Sequence, residues 1–128
     1  MKRVVVNFIL SYKVREPIAA RISLGNREVN ARMFDLSHGG MGILTDLSIP
    51  QLSVLSTRFV LLDPYAFKSY NKTRVVDTVG ETRYNILYEK NERRIGVRFT
   101  SITAKEKSSI YDFVKWQSIY SSLSSSRA

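Results

Sequence analysis

The amino-acid sequence predicts an all-β fold with one helix, namely a six-stranded antiparallel barrel capped by a C-terminal α-helix. Several short segments alternate apolar and polar residues and are separated by turn-forming residues, which is typical of half-buried strands. One segment close to the C-terminus has its apolar residues at helical spacing instead. The 128 residues suffice for one domain with a hydrophobic core and are too few for two of ordinary size.

The first predicted hairpin lies before the middle of the chain. Ala19–Leu24 alternates apolar and polar residues, and Gly25-Asn26 is a two-residue turn signal. Arg27–Phe34 alternates in the same way and is the predicted partner strand. After a polar junction rich in glycine, Met41–Thr45 is predicted as the next strand.

The second half of the chain supplies the remaining strands. Residues 47–56 include a proline and are predicted as a connection, and Thr57–Leu62 is an apolar strand that ends at Asp63-Pro64. Residues 68–72 are polar and predicted as a loop. Two further strands are predicted at Arg74–Val79 and Glu81–Tyr88. The second of them forms a hairpin with Ile95–Phe99.

A single helix is predicted from Ala104 to Tyr120. Thr103 and Glu106 form a capping box, in which a hydroxyl and a carboxylate satisfy the free amides of the first turn. The side chains at helical spacing that should face the sheet are Ile110, Phe113, Val114, Gln117 and Ile119. We therefore divide the chain into an N-terminal arm at residues 1–11, the barrel with its helix at 12–120, and a flexible Ser-rich tail at 121–128. The first ten residues are predicted to be either a strand or a docking arm.

Charge is the strongest signal in the composition. The chain has 20 Lys and Arg against 11 Asp and Glu, a net charge of +9, so its field attracts anions. Nucleotides, nucleic acid, anionic lipid and acidic proteins all fit that sign. No segment is long enough to span a bilayer, and the lack of cysteine is compatible with a reducing compartment. We expect a cytoplasmic protein.

The most informative motif lies between two predicted strands. Its sequence is Asp35-Leu36-Ser37-His38-Gly39-Gly40-Met41-Gly42. One bend thus combines an acid, a hydroxyl and glycines that let another group come close to the backbone. Asp35, Ser37 and Gly40 match the Asp-x-Ser-x-x-Gly signature of PilZ domains, the bacterial receptors for cyclic di-GMP. Residues 94–99 resemble the late Gly-Val-x-Phe strand of that family, and residues 106–114 resemble its closing helix. The resemblance covers the chain from about residue 12 to 116.

The resemblance also implies an Arg-x-x-x-Arg motif in the loop before the first strand. Arg15 stands where its second arginine belongs, whereas Ser11 occupies the first position, so that arginine is missing. In the family this pair holds guanine edges and phosphates. Lys13 is a partial substitute, because an ammonium group lacks the planar fork of a guanidinium. Arg94 and Arg98 have the same spacing on a late strand, and we interpret them as a surface pair.

The implied cyclic di-GMP site has six candidate residues: Arg15, Asp35, Ser37, Gly40, Lys13 and Arg32. Asp35 would accept from guanine N–H groups or orient Arg15, and Ser37 would donate to a phosphate or guanine. Gly40 would let the ligand approach the backbone. Arg32 should point away from the apolar face of its strand. Each of the three motif residues also has a purely structural interpretation, as a turn carboxylate, a turn hydroxyl and a bulge.

Catalytic chemistry is not predicted. Asp35, Ser37 and His38 lie too close on one turn to form a nucleophile, base and orienting group in line. The sequence has no cluster of metal ligands, no P-loop and no cofactor motif. We expect His38 to be an exposed loop residue.

Three functions are compatible with these observations. The first is a cyclic di-GMP sensor whose N-terminal loop and partner surface change on ligand binding, and which acts on a bacterial effector protein. The second is a degenerate PilZ domain that binds no nucleotide and serves as a protein adaptor in motility or pilus function. The third, ranked last, is a barrel that binds nucleic acid, with Tyr84, Tyr88 and Phe99 near basic residues.

Overall fold

The computed structural model describes residues 2–23, 25, 27–62 and 73–125. Six antiparallel strands close into a barrel in the spatial order β1-β2-β3-β6-β5-β4, and a long C-terminal helix follows the last strand. The predicted fold class is therefore confirmed. The elements are β1 Val4–Glu16, α1 Ile18–Ser23, β2 Val29–Ser37, β3 Gly40–Thr45, β4 Val54–Leu62, β5 Thr73–Glu89, β6 Glu92–Ser101 and α2 Ala104–Ser125.

The first strand begins much earlier than predicted. Residues 4–16 form β1, which pairs with β2 on one side and β4 on the other, so residues 4–11 are part of the barrel and not an arm. Leu10, Tyr12 and Val14 are buried on its inner side. Of the two alternatives for the first ten residues, a strand and a docking arm, the strand is therefore correct from Val4 onward.

Most of the predicted strand Ala19–Leu24 instead lies in the short helix α1, at residues 18–23. The ring is already closed by β1, so this segment connects β1 to β2 outside the sheet. Ile18 and Ile22 are consequently exposed, at 67% and 72%. Gly25 of the predicted turn has a positive φ of 67°, and Leu24 and Asn26 lie outside the described residues.

Two predicted strands merge into β5, which runs without a break from Thr73 to Glu89. Its first part pairs with β4 and its second part with β6, with register shifts beginning at Gly80. Gly80, the residue between the two predicted strands, thus lies where the pairing of β5 changes from β4 to β6. The predictions for residues 63–72 lie outside the described residues.

The helix α2 covers the barrel with the predicted side chains of its first half. Ile110, Phe113 and Val114 are buried in the core, and the Phe113 ring lies 5.5 Å from that of Phe8 on β1. Ile119 is 51% exposed, so the apolar stripe ends before it. The helix continues to Ser125, through residues predicted as a flexible tail, and residues 126–128 lie outside the described part.

The predicted capping box is present at the start of α2. The Glu106 amide donates to Thr103 Oγ1 at 3.1 Å, and the Thr103 amide donates to Glu106 Oε1 at 3.4 Å. Glu106 Oε2 also accepts from the backbone amide of Asp77 on β5, at 2.6 Å. The cap therefore fixes the helix to the barrel. Among the described residues, none of the helices has the length and apolar content that crossing a membrane requires.

Candidate functional site

The Asp-x-Ser-x-x-Gly motif forms the tight hairpin between β2 and β3. Ser37 is fully buried, accepts from the Gly39 amide at 3.3 Å and donates to the Gly40 carbonyl at 3.3 Å. A Cβ on Gly40 would overlap the Val97 carbonyl oxygen on β6, so glycine allows the two strands to approach. Ser37 thus has the turn role considered above. Gly40 is not at a bulge, because it is paired with Ser37 and Arg98, and the register shift lies between Met33 and Asp35. Both residues shape the hairpin that holds Asp35.

Asp35 lies on β2 beside the N-terminal end of β1. Arg3 Nη1 donates to Asp35 Oδ1 at 2.6 Å, and Arg94 Nη2 on β6 lies 4.0 Å from Asp35 Oδ2. The Asp35 side chain is 12% exposed, against 45% for Arg3 and 44% for Arg94. One nearly buried carboxylate is thus placed between two half-exposed guanidinium groups.

These groups open onto a cleft of about 680 Å³. Its charged lining residues include one acid and five bases. The lining residues are Arg3, Asp35, His38, Gly39, Gly40, Met41, Arg83, Tyr84, Arg94, Gly96, Val97, Arg98, Phe99, Ile102 and Lys107. Such an excess of positive charge over concave walls favours an anionic ligand.

A row of residues in register across four strands runs along the cleft, and three of them, Asp35, Gly96 and Tyr84, line it. Asp35 on β2 is opposite Gly42 on β3, which is opposite Gly96 on β6, which is opposite Tyr84 on β5. The Tyr84 ring occupies the space above Gly96, and the Phe34 ring occupies that above Gly42. Two aromatic rings thus lie on the outer face of the barrel where the glycines have no side chains.

Arg15, the predicted partner of Asp35, lies at the other end of β1. The β1 residue opposite Asp35 is Val5, and Arg15 is ten residues further on, roughly 33 Å along an extended strand. Its guanidinium donates to Ser56 Oγ on β4 at 3.1 Å. The predicted shared cleft of Arg15 and Asp35 is therefore wrong, because the assumed loop is a strand.

Three further residues considered in the sequence analysis also lie away from the cleft. Lys13 is exposed on β1 and is opposite Ser56 of β4, away from the cleft. Ser11, predicted to replace the first arginine, lies within β1 opposite Asn30. Arg32 points outward as predicted, but its closest acid is Glu92 at 4.0 Å, and it does not line the cleft.

Arg3, Arg94 and Arg98 were missed as site residues. Arg3 belongs to the segment interpreted as an arm, and Arg94 and Arg98 were interpreted as a surface pair. The signal was the alternation in residues 94–98, which places Arg94, Gly96 and Arg98 on one face of β6 and buries the two residues between them. The strand order that brings β6 beside β3 was not available from the sequence.

His38 was predicted to be exposed, but its side chain is half-buried. Its ring lies 6.1 Å from Tyr111 of α2 in an edge-to-face arrangement. Within the described residues, no group of three or more His, Cys, Asp or Glu side chains could hold a metal ion. The cleft accordingly offers hydrogen-bond donors and aromatic surfaces in place of metal ligands.

The fold and the cleft together define a small β-barrel binding domain. The family model described as the PilZ domain matches residues 4–116, and the chain therefore belongs to this family. A comparison with curated proteins found no match.

Solved structures with the same fold have low sequence identity to this chain. The inhibitor of motility MotI/DgrA from Bacillus subtilis has a TM-score of 0.72 at 15% identity, over 93% of this chain and 50% of that one. The PilZ domain of YcgR from Escherichia coli, solved with cyclic di-GMP, has a TM-score of 0.60 at 13% identity, over 98% and 95%. PlzA from Borreliella burgdorferi, also in complex with cyclic di-GMP, has a TM-score of 0.51 at 11% identity, over 89% and 40%. The chain spans about half the length of MotI/DgrA.

Proposed function

We propose that this domain binds cyclic di-GMP in the cleft beside Asp35 and relays binding to a partner protein. The observation that carries the proposal is the Arg3–Asp35 pair, 2.6 Å apart, at the mouth of a cleft lined by five basic residues. Family membership and the complexes of YcgR and PlzA with this ligand support the choice of nucleotide.

Asp35 and Arg3 have complementary roles in this proposal. Guanine presents N–H donors on one edge and the acceptors O6 and N7 on the other, so a carboxylate and a guanidinium can each bind part of it. Asp35 accepts from the N–H groups, while Arg3 binds O6 and N7 or a phosphate oxygen. Arg3 thus replaces Arg15 as the arginine before the motif. Ser37 and Gly40 act indirectly by shaping the hairpin, and Lys13 and Arg32 are left out of the site.

The moving part is smaller than the loop expected from the sequence. Residues 4–16 are held in the sheet, so ligand binding rearranges Lys2 and Arg3, which precede β1 without regular structure. When the ligand takes up part of the hydrogen-bonding capacity of Asp35, Arg3 turns from the carboxylate toward the ligand. The outer surface at this end of β1 is what a partner would detect, because Val5 is 82% exposed there.

Isothermal titration calorimetry with cyclic di-GMP tests the proposal. We expect heat of binding and a rise in Tm for the wild type, and loss of both in Asp35→Asn. Asp77→Asn is the matched control, because Asp77 also pairs with an arginine, Arg58, at 2.7 Å, but lies outside the cleft. The absence of heat and of a thermal shift for the wild type at high micromolar ligand would refute the proposal.

A second candidate is an adaptor that binds protein without nucleotide. It is favoured by the end of β5, where Ile86, Leu87 and Tyr88 are all more than half exposed beside the basic Lys90. MotI/DgrA is an inhibitor of motility, which is in keeping with such a role. Leu87→Glu should then abolish the effect of the domain on motility in its bacterium, while cyclic di-GMP gives no heat with the wild type.

A further inference from the structure

We infer that Arg94 and Arg98 of β6 form an arginine pair of this binding site. The inference rests on the proposed function and extends it, because it assigns the ligand to the outer faces of β5 and β6. It starts from the register of β6 with β3, where Arg94 is opposite Leu44 and Arg98 is opposite Gly40.

Both arginines project from the same face of β6. Ile95 and Val97 are buried inside the barrel, at 0% and 4% exposure, so the alternation of a strand directs Arg94, Gly96 and Arg98 outward. The Cα atoms of the two arginines are about 13 Å apart along the strand, at about 3.3 Å per residue. Between them lies Gly96, which contributes no side chain.

The charges of this pair are incompletely neutralised. Arg94 lies 4.0 Å from Asp35, whose nearer partner is Arg3 at 2.6 Å. Within the described part of the chain, no carboxylate lies within 4.0 Å of Arg98. A guanidinium has five N–H donors, so each arginine keeps donors for an additional acceptor.

The two ends of the pair differ in chemistry. Arg94 adjoins a carboxylate, and its guanidinium lies 4.2 Å from the centroid of the Phe34 ring, which limits its orientations. A donor fork beside an acceptor matches the edge of a guanine. Arg98 adjoins the turn at Gly39–Gly40. Its cross-strand partner Glu81 pairs with Arg83 at 3.1 Å, so Arg98 keeps its donors for a phosphate.

Tyr84 completes the surface between the arginines. Its ring lies over Gly96, is 36% exposed and lines the cleft. A flat ring at this place can stack on a base that is held at its edge by Arg94. The site we assign therefore combines an edge contact, a stacking surface and a phosphate contact from two adjacent strands.

Substitutions on β6 test the assignment. Arg94→Gln and Arg98→Gln should each weaken cyclic di-GMP binding by about tenfold or more, which is the usual effect of losing a bidentate contact. Arg98→Lys should retain part of the affinity, because it keeps the charge and loses the fork. Arg93→Gln is the matched control, since Arg93 is on the same strand and does not line the cleft. Its affinity should match that of the wild type, and thermal melts establish that all variants are folded.

The outcomes separate this inference from the proposed function. If the wild type binds and both glutamine variants bind equally well, the β6 assignment is wrong while cyclic di-GMP binding stands. If the wild type gives no heat with cyclic di-GMP, 5′-GMP is titrated and followed by NMR. A change in the NMR chemical shifts of the amides of residues 96 and 98 on addition of 5′-GMP, in the wild type but not in Arg98→Gln, would then support the β6 site for a guanine nucleotide. That result would overturn only the choice of cyclic di-GMP as the ligand. If cyclic di-GMP gives no heat and 5′-GMP gives no chemical-shift change, both the proposed function and the β6 assignment are overturned.

Discussion

Gly42 of β3 and Gly96 of β6 are direct partners in the antiparallel ladder that joins these strands. Neither residue has a side chain, so an aromatic ring can occupy the space above each of them. The Phe34 and Tyr84 rings lie over the two glycines, and Asp35 flanks the first of them. Gly96, Tyr84 and Asp35 line the cleft together with Arg94 and Arg98.

The glycines in and beside the cleft should differ in their tolerance of a side chain. Gly40→Ala should destabilise the domain by about 1–3 kcal/mol, because the added methyl group overlaps backbone atoms of β6 that cannot move alone. Gly96→Ala meets only the ring of Tyr84, which can turn outward, so its cost should be smaller. Urea denaturation measures both free energies of unfolding.

A second substitution provides the control for this comparison. Tyr84→Ala should reduce the cost of Gly96→Ala, because it removes the ring that the methyl group meets. It should leave the cost of Gly40→Ala unchanged. Equal costs for the two glycine variants, or rescue of Gly40→Ala by Tyr84→Ala, would contradict the packing described here.

Arg3→Gln should affect ligand binding more than stability. The pair with Asp35 involves a side chain that is 45% exposed, so its loss should cost less than about 1 kcal/mol of unfolding free energy. Calorimetry should show weaker cyclic di-GMP binding, while Tm changes little. Arg58→Gln removes an equally short exposed pair outside the cleft and should leave binding unchanged. A variant at Arg3 with full affinity would exclude this residue from the site.

The buried Tyr12 should make the domain less stable at alkaline pH. Burial raises the pKa of Tyr12 above its usual value of 10.0, although the hydrogen bond with Thr45 Oγ1, at 2.8 Å, acts in the opposite direction. The folded state therefore favours the protonated phenol. The contribution of the protonated phenol to the free energy of unfolding is fully present below pH 10.0. It is lost as the pH rises through the higher pKa of the folded state.

Tyr12→Phe removes both the hydroxyl and its ionisation. We expect the variant to lose about 1 kcal/mol near neutral pH, and the difference from the wild type to shrink in thermal melts above pH 10.0. A difference between wild type and Tyr12→Phe that does not change with pH would show that ionisation of Tyr12 is not coupled to unfolding.

Glu106 should contribute more to stability than its partner in the capping box. Thr103→Ala should cost about 1 kcal/mol, as loss of an N-cap hydroxyl usually does. Glu106→Ala should cost more, because it also leaves the Asp77 amide on β5 without the bond at 2.6 Å. Chemical denaturation compares the two, with Lys107→Ala as an exposed control on the same turn. A smaller loss for Glu106→Ala would indicate that the contact with β5 adds nothing.

Local patterns were sufficient for most elements and for the start of the helix. The capping box at Thr103 and Glu106 involves residues three apart, so its chemistry can be read without knowing the fold. The Asp35–Gly40 hairpin is local in the same sense. The error at β1 arose because several segments near the N-terminus have strand-like alternation, and only one of them could complete the ring between β2 and β4.

The sequence alone determined a closed antiparallel sheet with a terminal helix, the acidic hairpin with its glycines, and a strongly basic surface, because these depend on alternation, spacing and composition. The tertiary structure decided which arginines meet the acid. Contacts between strands join residues far apart in the chain, such as Arg3 with Asp35 and Asp35 with Arg94, and they depend on strand order and register. Those two quantities are set by how the whole ring closes around its core, and no single segment contains them.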